Sequence, residues 1–305
     1  MAKGERGLMG IGESPAAARR RVRLALRRAR DARGLTQQQV ADGLDWSLSK
    51  VNRLEKGEVT VSRTDLLALL EMYGVADSAV IDDLVGAARR SRQRGWYDEP
   101  RYRETLTTAM LQLYQFEAEA TAIRFYHSTL IPGLLQTPAY AEYILNFWQQ
   151  ELADSVRAAR LETRIHRRGH VFDRDDPPDY LLILDESVLH REVGGPKVMA
   201  EQLRDLLNMM ARPNMHVRVL PLREAAILAM LGPFQLFDLG DEENAVLYRE
   251  TVLKDEILFA GEAIDRHRGY FEQMWSQAFP EDASARLIEA QAAAMLSALD
   301  RYQPT

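Results

Sequence analysis

Two helix-starting signals, at Thr36 and Ser47, stand so close together that the helix between them has room for little more than two turns. Thr36-Gln37-Gln38-Gln39 reads as a capping box: the threonine oxygen accepts an amide three residues on, and the glutamine side chain reaches back to the Thr36 amide. The helix opening at Gln37 turns Val40, Ala41 and Leu44 inward. Asp45 and Trp46 form the turn, since aspartate tolerates the left-handed backbone region that most residues avoid. Ser47 then caps a helix that runs to about Glu55, with Val51 and Leu54 inward and Leu48, Ser49, Asn52 and Arg53 outward. Gly57 ends it.

This helix pair has a helix before it and two after. Ser14-Pro15 starts the first, because proline at the first helical position gives up no hydrogen bond, and Gly34 stops it after about Arg33. Val22, Leu26 and Ala29 make its inward stripe, while Arg20, Arg23 and Arg27 repeat the same spacing on another face. Arg19 to Arg21 read equally as a solvated face or as a contact to a polyanion. Ser62 or Thr64 opens a fourth helix carrying Leu66, Leu67, Leu69 and Leu70, closed by Gly74. A fifth begins near Asp77 and ends in Arg89, Arg90, Arg92 and Arg94.

Charge separates this part from the rest. The 305-residue chain carries a net −6, yet residues 1–95 hold 18 Lys+Arg against 12 Asp+Glu, and residues 96–305 hold 21 against 33. A basic head on an acidic protein points to a polyanion partner for one domain only. The absence of cysteine excludes disulfide scaffolds, thiol nucleophiles and cysteine-ligated metals, and fits a reducing cytoplasm. No apolar run approaches the roughly 20 residues of a membrane span. Residues 1–14 read as a loose, glycine-rich tail without a signal peptide's apolar core.

Two short helices across a tight turn suit the major groove of DNA, where all four base pairs are distinguishable. The string Leu35-Thr36-Gln37-Gln38-Gln39-Val40-Ala41, followed by Ser47-x-Ser49-Lys50-Val51-x-Arg53-Leu54-Glu55-Lys56-Gly57, resembles the Xre, or Cro/cI-type, helix-turn-helix regulators. Asp45 replaces the usual turn glycine. The resemblance implies a lambda-repressor-like head of five helices, with Ser47, Leu48, Ser49, Asn52 and Arg53 facing base edges. Gln37, Lys50, Lys56, Arg63 and Arg27 are then the phosphate contacts, and Arg30 and Glu55 a structural ion pair.

Gly95-Trp96-Tyr97-Asp98-Glu99-Pro100 interrupts helical periodicity where the charge reverses, which divides the chain into a head over 15–94, a linker over 95–104 and a second domain over 105–300. In that domain Leu106, Met110, Leu113 and Phe116 share a helix. Thr121–Tyr126, Tyr180–Leu184 and His216–Leu220 read as strands, and Phe234–Leu239 pairs with Val246–Thr251 as a hairpin across residues 240–244. Helices fall at Tyr140–Trp148, Asp154–Arg168, Pro196–Met210, Ala260–Ser276 and Ala283–Leu299, making a mixed α/β (α+β) domain. His127-x-x-Leu130-Ile131-Pro132-Gly133-Leu134-Leu135-Gln136-Thr137, Leu184-Asp185-Glu186 and Val193-Gly194-Gly195-Pro196 resemble the antitoxin-like effector domain that follows Xre heads in many actinobacterial regulators. That resemblance implies regulators often encoded beside a small acidic partner protein, and it names no chemistry.

The residues themselves give little support to an enzyme. His166 and His170 are spaced to share a metal, but Arg164, Arg167 and Arg168 crowd the same turn and repel a cation, and a helix C-terminus favours cationic side chains anyway. Asp185-Glu186 after a strand reads equally as an acid/base pair or as a helix cap with a first-turn carboxylate. No phosphate-binding loop or nucleophile elbow is present. Phe125, Tyr126, Tyr140, Tyr143, Phe147 and Trp148 read as core with a possible pocket, and Met209, Met210, Met215 and Met230 as core or an adaptable surface. The expectation is a cytoplasmic, nucleoid-associated regulator that binds double-stranded DNA without a metal or other cofactor. One head reads too few bases for genomic specificity, so the expected form is a homodimer on a palindromic operator, modulated by a small protein partner or small-molecule effector at the second domain. The alternative is an antitoxin-like protein that sequesters a partner and autoregulates its operon.

Overall fold

The computed structural model describes residues 15–57, 59–93, 95–147, 150–240, 245–250, 255–258 and 261–301. The tail placed at 1–14 and the readings that rest on Arg94, Trp148, residues 241–244, Thr251 and Ala260 lie outside the described residues. The chain divides into two units, Met1–Trp96 and Tyr97–Thr305.

The first unit holds α1 Pro15–Ala32, α2 Gln37–Gly43, α3 Leu48–Glu55, α4 Arg63–Met72 and α5 Ser78–Ser91. Each of the last four starts on a side chain that accepts a first-turn amide: Thr36 in a complete capping box, then Ser47, Ser62 and Asp77. Asp45, with φ 54°, is the one non-glycine residue at positive φ among the described residues. Val22, Leu26, Val40, Val51, Leu54, Leu66 and Leu70 are buried in one cluster, each contributing roughly 1.5–3 kcal/mol relative to exposure. Leu67 is only half-buried. Arg23 departs from the expected outer stripe of α1: it is 6% exposed, because the turn at Gly57 folds over it. Arg19 donates to Ser91 O and Arg21 pairs with Asp83, so two arginines of the Arg19–Arg21 run brace α1 against α5.

A 3-10 turn Trp96–Asp98 spans the division, and the second unit goes on with α6 Pro100–Thr105 and α7 Thr108–Glu119. The stretch read as a linker is thus largely helical, with Tyr97 and Tyr102 buried, and the helix expected from Leu106 is split, because Thr107 caps a new start by accepting from Met110 N. There follow β1 Ala122–His127, a 3-10 turn Gly133–Leu135, α8 Pro138–Phe147, α9 Asp154–Phe172, β2 Asp179–Asp185, α10 Glu186–Leu189, α11 Pro196–Met210 and β3 Met215–Leu220. After α12 Leu222–Leu228 and the 3-10 turn Ala229–Leu231 come β4 Phe234–Asp238, β5 Ala245–Arg249, β6 Glu256–Leu258, α13 Glu262–Gln277 and α14 Glu281–Arg301. The helix α9 runs to Phe172, past the end expected at Arg168.

The strands form one sheet in the order β3-β2-β1-β4-β5-β6. The first three are parallel, as helical crossovers require, and the last three are joined antiparallel, with Gln235 opposite Tyr248 in the expected hairpin. Helices cover both faces, which is why β4 is buried at every position. Tyr126, Ile183, Phe234 and Leu236 pack against Phe271 and Met274 of α13. On the opposite face Phe116 of α7 meets Phe237 and Phe172 of α9 meets Tyr180. The outer margin of β3 is occupied at Val219, whose amide donates to Ser284 Oγ and whose carbonyl accepts from Phe279 N. A helical head and a mixed α/β domain, as expected, are what the chain forms.

Candidate nucleic-acid interface

The outward face of α3 is one continuous surface. Leu48, Ser49, Asn52, Arg53 and Lys56 line a single open groove, and Ser47 is exposed at its start. The helix is fixed from behind by Val51 and Leu54, and at its first turn by Ser47 Oγ, which accepts from Lys50 N at 3.2 Å. Leu48 is 40% exposed, an apolar side chain amid polar ones. Arg63, in the first turn of α4, is exposed.

Behind the groove, Arg30 and Glu55 form a two-pronged ion pair, Nε to Oε1 at 2.6 Å and Nη2 to Oε2 at 3.1 Å. The hydrogen bond to Glu55 raises the Arg30 pKa further. Arg30 Nη1 also donates to Leu35 O at 2.7 Å, so one guanidinium ties α1 to the entry of α2 and the end of α3.

Three expected phosphate contacts are engaged within the head. The Gln37 side chain donates from Nε2 to Glu55 Oε2 at 2.7 Å, which directs it to the ion pair. Lys50 Nζ lies 2.8 Å from Asp65 Oδ1 and 3.6 Å from the Trp46 ring centroid, so its charge is neutralised and stacked. Arg27 sits 3.8 Å from Asp31, one turn along α1. Sequence spacing gave no sign of the Gln37 and Lys50 contacts, because Glu55 and Asp65 belong to other helices.

In the second unit the candidate carboxylates serve the backbone. Asp185 is 4% exposed and caps α10 by accepting from Ser187 N, while Glu186 Oε2 accepts from Leu222 N at 3.0 Å. His166 and His170 are exposed, and no group of three or more His, Asp or Glu among the described residues is placed to hold a metal. The aromatic set divides: Phe125, Tyr126 and Tyr140 are core, whereas Tyr143 and Phe147 are 58% and 78% exposed. Met209 and Met215 are buried and Met230 is exposed. His127 closes the turn after β1, its Nδ1 accepting from the amides of Thr129 and Leu130. A group not singled out from sequence lies on α9, where buried Arg167 pairs with buried Glu117 at 3.1 Å and stands over the Tyr114 ring.

No helix among the described residues is long and apolar enough to cross a membrane. Residues 21–84 match the helix-turn-helix domain, a DNA-binding element, and residues 110–290 match a domain of unknown function, DUF5753. No curated protein and no solved structure matches the chain. Since the DUF5753 match spans more than half of the 305 residues, the chain belongs to that family, with a helix-turn-helix domain ahead of it.

Proposed function

We propose that this chain is a sequence-specific transcriptional regulator of the Xre kind, acting in the cytoplasm at the nucleoid as a homodimer on a palindromic operator. The observation that carries this reading is the outer face of α3, polar and basic from Ser47 to Lys56 apart from Leu48 and locked from behind by Val51, Leu54 and the Arg30–Glu55 pair. In the major groove, Arg53 suits guanine O6 and N7 and Asn52 suits adenine, while Lys56 and Arg63 meet phosphates and set salt dependence. Two heads would occupy half-sites about 34 Å apart. The second domain modulates occupancy without catalysis; the structural engagement of Asp185 and Glu186 supports that.

The test is binding of the full chain to a selected operator and to random duplex, by fluorescence anisotropy at fixed salt. Arg53→Ala brings operator affinity down towards the random value, whereas Lys56→Ala weakens both by the same factor. Equal losses on both duplexes for Arg53→Ala would overturn its role in base readout.

A second reading, an antitoxin-like protein that holds a small protein partner, is favoured by Tyr143 and Phe147, exposed one turn apart on α8. Its test is whether a small protein co-purifies from the native host and is lost with Phe147→Ser.

A further inference from the structure

The arginines of α9 carry more positive charge than their surroundings answer. Arg157 pairs with Asp154, Arg168 grips Asp205 through two hydrogen bonds, and Arg167 pairs with Glu117. Arg160 and Arg164, one turn apart on the same helix face, meet no carboxylate at ion-pair distance among the described residues. Among the described residues the one hydrogen bond of the Arg164 side chain goes to the neutral Gln136 Oε1 at 3.0 Å, and Arg160 Nε is buried without a hydrogen-bond partner. Both side chains are half-buried and therefore reachable from solvent. Burial, and then the neighbouring Arg167, hold the Arg164 guanidinium below its usual range. Partly desolvated cations without an anion are costly, and a folded domain retains them where something completes the charge.

The local backbone is suited to a close approach. Gly133, in the 3-10 turn after β1, presents bare main chain to this group; a Cβ there would lie 3.5 Å from both Arg164 Nε and Arg167 Nη2. Gln136 is held by donating to Ile131 O at 2.8 Å, so its carbonyl oxygen is aimed and fixes the Arg164 fork. Glu250, whose charge reaches Arg164, is exposed just past the end of β5.

We propose that Arg160 and Arg164 form a binding site for a phosphate-type oxyanion, free or at the end of a small metabolite. Guanidinium forks match such oxygens with paired, charge-assisted hydrogen bonds. The site lies in the DUF5753 domain and does not depend on how the head reads DNA.

The experiment is thermal melting of the full chain against inorganic phosphate at constant pH and ionic strength, chloride replacing phosphate. A saturable rise in Tm is expected, since a ligand that binds only the folded state stabilises it. Arg164→Gln raises the half-saturating concentration about tenfold, the effect of losing one charge-assisted hydrogen bond. Arg160→Gln shifts it in the same direction and carries the comparison if circular dichroism shows Arg164→Gln unfolded. Lys56→Ala leaves it unchanged. Tighter binding of glycerol phosphate than of phosphate assigns the site to a phosphorylated metabolite, and its exclusion assigns the site to the free anion. No saturable rise, or half-saturation in both Arg164→Gln and Arg160→Gln equal to that of the unsubstituted chain, overturns the proposal.

Discussion

Gln37 Nε2 donates to the same Glu55 oxygen, Oε2, that receives Arg30 Nη2, so a single buried carboxylate joins the starts of α2 and the end of α3 to α1. The angle between the two helices of the motif is therefore set by three side chains rather than by the turn alone.

Removing Arg30 leaves the buried Glu55 carboxylate with no cation and only the Gln37 amide, whereas removing Glu55 leaves Arg30 with Asp31 and the Leu35 carbonyl, so Arg30→Ala should destabilise the head by about 3–5 kcal/mol and Glu55→Ala by less. Gln37→Ala removes one hydrogen bond and costs about 1–2 kcal/mol. Urea denaturation followed by circular dichroism measures all three, and a Gln37→Ala loss as large as that of Arg30→Ala would contradict the arrangement.

Asp45 holds φ 54° in the turn, a conformation that costs a non-glycine residue roughly 1 kcal/mol. Asp45→Gly should raise stability by up to about that amount, and Asp45→Val should lower it by more. The midpoint of chemical unfolding decides it; a destabilised glycine variant would mean that the aspartate side chain contributes more than its backbone strain costs.

Lys50 and Lys56 should differ in how they couple to salt, on the proposed DNA-binding role. Lys56 is exposed, whereas Lys50 is already neutralised by Asp65. Lys56→Ala should reduce the slope of log affinity against log salt by about 0.9, the value for one phosphate contact. Lys50→Ala alone should weaken DNA binding because it unmasks Asp65, and adding Asp65→Ala should restore much of the loss. If the double variant is as weak as Lys50→Ala, the lysine contacts phosphate itself.

Burial pushes the Glu117 carboxyl up to about 7 from its ordinary 4.5, against the pull of Arg167. A folded-state pKa above the unfolded one means that the folded chain holds the extra proton; its stabilisation is complete below 4.5 and lost as pH rises through about 7. Burial lowers His127 from 6.5 to about 4, the opposite case: its contribution is present above 6.5 and lost as pH falls through about 4. The two oppose each other between about 4.5 and 6.5, so the Glu117 effect stands alone above that. Tm of the second unit should fall between about pH 6.5 and 8, and Glu117→Gln should flatten the decline. An unchanged slope in Glu117→Gln would remove this carboxyl as its source.

The elements of the head were legible because its helix starts are written in single residues: Thr36, Ser47 and Asp77 are caps, and Asp45 is a turn residue, whatever surrounds them. Strand β2 was legible as a continuous apolar run, and β1, β3, β4 and β5 as short stretches rich in β-branched and aromatic residues. What spacing could not show is which long side chains meet across helices. Arg23 looked like a member of an outer stripe until the Gly57 turn covered it, and Lys50 looked like a free cation until α4 brought Asp65 to it. At three residues, β6 is too short to carry an alternating pattern, and α6 was hidden by a run of turn-forming residues before Pro100. The α9 arginines were visible as a crowded turn, but only the fold shows which of them have acids opposite.

The stopped margin of β3 limits how copies of this domain can meet. Fibres built strand to strand need two bare edges per molecule, one to receive and one to give. At Val219 one edge is already spent on Phe279 and Ser284, and the other ends in the short β6. Edge pairing can then join β6 to β6 and must stop at two copies, so a destabilised variant that aggregates has first to release α14 from the sheet.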